Sequence, residues 1–265
     1  MDKQIFKDKH LVFVTTYYGP SVTENGKTIY ETTGYVKPAI EQFFHNLIPI
    51  VRRRPDDTLL VIIDNGSTPD VLAYLKSLAG GNVIVQPRPD NAGRPRAVNE
   101  FIAEHLTESN LPASVWVIDP DLLFDQLSFD LLADAVVNLP QLGLIGMRYK
   151  KNLCNPELYT FVPPRNLVGT SGRTYSLVFP FMANVAGPVM AMTGRRLMET
   201  LKFKFFPFKE YHCYGQCDAV IYDFFKWRGI RSAYLNGTLA THLKSAERVA
   251  EELVKWAAQP SNRLK

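Results

Sequence analysis

No apolar run in the 265 residues approaches the roughly 20 needed to cross a bilayer, so no membrane-spanning helix is expected. Cysteine is nearly missing. Cys154, Cys213 and Cys217 cannot build a disulfide framework, which favours a reducing compartment. His212, Cys213 and Cys217 lack a second cysteine pair, so a partly buried structural set is favoured over zinc. Residues Met1 to Lys9 are polar and charged rather than a secretory signal, and the expected location is cytoplasmic. No Gly-x-Gly-x-x-Gly follows the first strand and no phosphate-loop lysine motif exists, which removes dehydrogenase and kinase-like readings. Charge of one sign is also scarce. A net +4 agrees with a small anionic ligand without demanding nucleic acid.

What is present is a full core. Hydrophobic residues make up 46% and charged ones 21%. Residues 11–16 form a first strand, followed by a hairpin with Asn25-Gly26 at its tip, which can serve as a lid or as surface decoration. Ile40, Phe43, Phe44, Leu47, Ile48 and Val51 have helical spacing over 36–51, with Pro38 in the first turn and Pro49 kinking the end. A strand at 58–63 ends on Asp64-Asn65-Gly66-Ser67. A helix then starts at Pro69, capped by Ser67 or Thr68 and stopped by Gly80-Gly81. A short strand at 82–86, a helix from Pro95 and a strand at 115–118 follow. Strands without alternation in a β-α-β-α-β-α-β order imply a parallel sheet covered on both faces. Beyond it lie a helix near 127–138, a strand near 142–149, a loop-rich stretch over 151–184, helices near 194–202 and 217–228, a strand at 230–235 and an amphipathic tail at 245–258. No repeat or linker divides the chain.

Polar clusters stand at four strand ends: Thr15-Thr16-Tyr17, Asp64-Asn65-Gly66-Ser67, Asn91-Ala92-Gly93-Arg94 and Asp119-Pro120-Asp121. In a parallel sheet all four open on one edge, where ligands of such sheets collect. Thr15 and Thr16 can hydrogen-bond a base or ribose, and Tyr17 can stack on it. Asp64 can accept from an imide or a ribose hydroxyl, and Gly66 and Gly93 permit close backbone approach. Arg94 and Arg96 can meet phosphate at a helix start. Asp119 and Asp121 suit a divalent cation bridging to phosphate oxygens, or else a turn acid and a helix cap before Leu122. Lys202 to Lys209 interleaves cations with aromatics, fitting either a glycan or base grip or an edge strand with one apolar face.

Taken together, Asp64-Asn65-Gly66-Ser67-Thr68, then Asn91 and Gly93 with Ala97 and Asn99, then Asp119-Pro120-Asp121 resemble family-two glycosyltransferases of the GT-A fold. Order and spacing match across residues 10–125, and the segment from Gly187 through His242 is similar but looser. The resemblance implies an α/β fold with a Rossmann-type, mostly parallel mixed sheet sandwiched by helices. It implies one domain over 1–265, with a nucleotide-sugar half at 10–125, an acceptor half at 126–245 and a C-terminal helix at 246–265. It implies hexosyl or pentosyl transfer, inverting, from a nucleoside diphosphate sugar (a UDP-sugar) to an acceptor hydroxyl with Mn2+ or Mg2+. By the family pattern Thr15, Tyr17, Asp64 and Asn65 line the nucleoside pocket, while Asn91 and Arg94 lie near the diphosphate and sugar. Thr16, Gly93 and Asn99 complete the substrate-binding set. Asp119 holds ribose or the metal, Asp121 ligates the metal directly, and His242 is a further ligand or an ordinary loop histidine.

One departure from the pattern matters. The family has Glu-Asp where this chain has Gly215 and Gln216, leaving Asp218. Glutamine cannot take a proton at neutral pH. Asp218 is therefore the candidate base, or it caps the helix that follows and the base lies elsewhere. The acceptor classes left open are a glycan, a lipid-linked sugar or a modified base in nucleic acid. A catalytically weak nucleotide-sugar-binding protein is the non-enzyme alternative.

Overall fold

The computed structural model describes residues 3–19, 22–24, 27–30, 37–91, 93–149, 163–179, 189–207 and 217–243. A 3-10 turn, Lys3–Phe6, buries the Phe6 ring ahead of β1 (His10–Thr16). β1 is buried at every position, which explains its lack of alternation, because both faces are covered. β2 (Val22–Glu24) and β3 (Lys27–Tyr30) form the expected antiparallel hairpin, whose Asn25-Gly26 tip lies outside the described residues. α1 (Lys37–Arg52) carries Pro38 in its first turn and Pro49 in its last. It buries the six apolar residues its spacing singles out.

β4 (Thr58–Asp64), α2 (Pro69–Ser77), β5 (Val83–Pro87), α3 (Arg94–His105) and β6 (Ser114–Ile118) complete the first half. β5, β4, β1 and β6 lie side by side, all parallel. Their carboxyl ends therefore share one edge. The α2 start differs from expectation. Thr68 occupies the cap position but its side chain makes no cap bond, and the Ser67 hydroxyl instead accepts from the Tyr18 amide at 3.0 Å.

The second half holds β7 (Leu122–Phe124), α4 (Gln126–Asn138), β8 (Ile145–Tyr149), β9 (Arg165–Val168), β10 (Thr174–Val178), β11 (Val189–Thr193), α5 (Gly194–Leu201), α6 (Cys217–Trp227) and β12 (Ala233–His242). β11 enters antiparallel beside β6, and the sheet continues through β8, β12, β10 and β9. The chain is thus mixed α/β with a mostly parallel first half. Alternate residues of β1 feed two cores. Val12 and Val14 pack with α1 and α4 on one face, and Leu11 and Phe13 with α3, α5 and α6 on the other.

Several local expectations are corrected. The stretch before β11 contains an antiparallel β9–β10 pair rather than loop alone. The final strand runs ten residues, to His242, not to 235. Residues 202–207 form a turn rather than an edge strand. Lys202 and Phe203 adopt positive φ there, and Phe205 and Phe206 are fully buried, so these two rings serve the core instead of gripping a ligand. The tail at 245–258 lies outside the described residues.

Candidate functional site

The polar strand ends are knitted together along the parallel edge. The Asn65 amide donates to the Thr16 carbonyl at 2.8 Å, and the Arg88 amide to the Asp64 carbonyl at 2.8 Å. Asn65 Nδ2 donates to Asn91 Oδ1 at 3.1 Å, and that oxygen also accepts from the Gly93 amide at 3.0 Å. Arg94, the first residue of α3, then donates to Asp119 at the end of β6. The rim is one connected system from β1 to β6.

Asp64 is fully buried, and both carboxylate oxygens accept from the Ser67 amide at 3.3 Å. Burial raises its pKa, opposed by hydrogen bonds from Ser67 and Gly66. Gly66 has φ of +82°, and an added Cβ would stand 2.9 Å from the Asp90 backbone. Its need for glycine comes from the neighbouring loop rather than from a ligand. Thr15 and Thr16 close β1 as successive residues and so leave opposite faces of the strand. Tyr17 packs over Gly19 in the turn, and burial raises its phenol pKa.

Some of these groups are left with nothing to bind. Thr15 Oγ1, Thr16 Oγ1, Asn65 Oδ1 and Thr68 Oγ1 are buried and meet no hydrogen-bond partner among the described residues. Buried polar atoms are normally paired, so such a cluster calls for an explanation. Arg88 Nε is without a partner too, although the same guanidinium pairs with Glu100 through Nη2 at 2.6 Å. Arg88 escaped the sequence reading, although a cation between Pro87 and Pro89 directly after a strand is the signal that marks it.

The Asp119-Pro120-Asp121 stretch is sharpened. No helix begins at Leu122, and β7 runs there instead, so Asp121 is not a helix cap. The cap of α4 is Asp125, which accepts from the Ser128 amide at 2.6 Å. Asp121 is only 2% exposed. β7 pairs with β12 so that His242 stands opposite Leu122, and the Leu243 amide donates to the Asp121 carbonyl at 2.7 Å. The fold thus carries the His242 backbone, from the other half of the chain, to a place beside Asp121. Two carboxylates at one strand end are oxygen donors of the kind a hard divalent cation takes. Among the described residues, no three His, Cys, Asp or Glu side chains already gather into a cation site.

Asn99 has other employment. Its Nδ2 donates to the Phe206 carbonyl at 2.6 Å, and its Oδ1 accepts the Phe206 amide at 3.0 Å. Both ends of the amide hold a backbone rather than face the rim. Asp218 lies in the first turn of α6, while Gly215 and Gln216, with His212 and Cys213, lie outside the described residues.

Comparison with known proteins supplies the family. Residues 30–197, well over half of the chain, match the family described as glycosyl transferase family 2.

The chain belongs to glycosyl transferase family 2.

Among solved structures it is similar to the Pyrobaculum calidifontis mannosyltransferase PcManGT in complex with GDP-Man and Mn2+. The TM-score is 0.58 at 17% identity, over 99% of this chain and 66% of that one. It is also similar to S. aureus TarS (TM-score 0.53, 14% identity, 97% and 67% covered). A third is GalNAc-T7 with UDP, GalNAc and Mn2+ (TM-score 0.51, 11% identity, 88% and 43% covered). At such identities the likeness establishes the GT-A fold. The family member described here spans about two thirds of the first two structures and under half of the third. No curated protein sequence matches it. No helix among its described residues is long and apolar enough to cross a membrane.

Proposed function

We propose that this family member is a metal-dependent glycosyltransferase that moves a sugar, with inversion, from a nucleoside diphosphate sugar to an acceptor hydroxyl. The observation that carries the proposal is the set of buried, unpartnered polar atoms at the ends of β1 and β4, on the edge that also holds Arg94, Asp119 and Asp121. A nucleoside offers the donors and acceptors that those atoms lack. Asp64 and Asn65 receive the base and ribose. Asn91, Gly93 and Arg94 face the diphosphate at the α3 N-terminus, where amides and dipole favour anions. Asp121, with Asp119 and His242, would hold the divalent cation. When bound, that cation neutralises the charge that builds on the departing diphosphate. Asp218 takes the acceptor proton.

UDP and GDP are the two nucleotides to test, since the similar structures hold GDP-Man or UDP. A screen of UDP- and GDP-sugars with Mn2+, reading nucleoside diphosphate release, tests the proposal. Release from one donor, abolished in Asp64→Ala, is expected. No release from any donor, together with no nucleotide binding, would end it. Gln216 favours a second reading, a nucleotide-sugar-binding protein without turnover. Release that is lost in Asp218→Asn while nucleotide binding persists rules that alternative out.

A further inference from the structure

We infer that Arg94 is a latch on the cation site: it occupies Asp119 while no donor is bound, and a donor diphosphate draws it off. The inference rests on the nucleotide-sugar reading above. It starts from the ion pair itself. Arg94 opens α3, and its guanidinium meets the Asp119 carboxylate just past the end of β6. The two side chains are only 20% and 26% exposed, so this is a partly desolvated pair and not a surface contact.

Two residues further on, Asp121 is almost wholly buried. Two carboxylates two residues apart at one strand end, one of them buried, favour a positive charge beside them. Arg94 supplies that charge. Its planar fork matches carboxylate and phosphate equally well, and it sits at a helix N-terminus, where an arriving phosphate is already favoured.

Two competitions follow. A cation and Arg94 compete for Asp119, while Asp119 and a diphosphate compete for Arg94. Cation plus diphosphate resolve both by exchange: the guanidinium passes from carboxylate to phosphate as the carboxylate passes to the cation, with every charge still compensated. The acids then take a bare cation poorly, and cation and nucleotide bind as a coupled pair.

The coupling gives Arg94 effects of opposite sign in two conditions, which a purely structural ion pair would not show. Mn2+ is titrated into the full chain, followed by its electron-spin signal, without and with saturating UDP or GDP. Arg94→Gln is expected to bind Mn2+ at least about five-fold more tightly than wild type without nucleotide, and at least about five-fold more weakly with it. Arg94→Lys keeps a charge near Asp119 and is expected to stay close to wild type without nucleotide. Arg94→Met, which removes the charge and keeps the side-chain bulk, serves as the test variant if the glutamine form does not fold, with the same two shifts expected. A change of the same sign in both conditions, or none, overturns the latch. If wild type binds no Mn2+ even with nucleotide, the metal dependence of the proposed function fails and the latch falls with it, whereas absence of nucleotide binding in the same samples ends the nucleotide-sugar reading itself.

Discussion

Acid forces a proton onto a ring that the fold keeps neutral. His10, at the start of β1, is 7% exposed, and its Nδ1 lies 2.7 Å from Ser114 Oγ. The Trp116 indole donates to the same hydroxyl at 2.7 Å, so the hydroxyl proton is available for Nδ1. Burial, helped by the Arg54 charge and opposed by Asp57, brings the His10 pKa from 6.5 down to about 4. For a base with a depressed folded pKa, the contribution to stability is whole above 6.5 and is withdrawn as pH falls from 6.5 to 4. Its size is about 3 kcal/mol, a large share of an ordinary domain's stability. Asp57, whose pKa is lowered from 3.8, loses its contribution only below this window, Glu100, lowered from 4.5, starts to lose its own at the window's acid end, and Asp64, whose pKa is raised, gains on acidification. Urea unfolding of wild type and His10→Gln at pH 7, 5.5 and 4 isolates the ring, since every other group is common to both. The variant is expected to be the less stable at pH 7, with the gap shrinking by about 3 kcal/mol by pH 4. A gap independent of pH would refute the reasoning.

Two further substitutions test the packing behind the site. Asn99→Ala strips both partners from the Phe206 backbone and is expected to cost about 2–3 kcal/mol by denaturant unfolding; a loss under about 0.5 kcal/mol would contradict the clamp. Gly194→Ala places a Cβ 1.9 Å from the Pro112 carbonyl oxygen, where only backbone movement can make room. It is expected to lower Tm sharply or prevent folding, and an unchanged Tm would show that the β11–α5 corner is softer than it looks.

The first half of the fold was legible because its strands and helices each follow one rule. β1, β4 and β6 are short apolar runs ending on polar residues, and α1 and α3 carry clear helical spacing. Once four strands run parallel, their polar ends must share an edge, so the rim followed from local signals alone. The second half obeys longer-range conditions. β11 is a five-residue run inserted antiparallel beside β6, and nothing in its sequence states that direction. β7 is three residues whose strand character comes from pairing with β12. That pairing brings the His242 backbone to Asp121, a proximity no spacing reveals. Asn99 misled for a related reason. Its place in a motif drew attention to a ligand, whereas tertiary packing gives its amide to Phe206. Phe205 and Phe206 likewise sit between cations in sequence but inside the core in space.

The most direct measurement concerns Asp121, buried at the carboxyl end of β6 and alongside β12. Calorimetric titration of UDP and of GDP is made with and without Mn2+, on wild type and Asp121→Ala. Wild type is expected to bind one of the nucleotides far more tightly with Mn2+, and the variant to lose that dependence while remaining folded. Metal-dependent nucleotide binding that persists undiminished in Asp121→Ala would contradict the assignment of this strand end as the cation and diphosphate anchor.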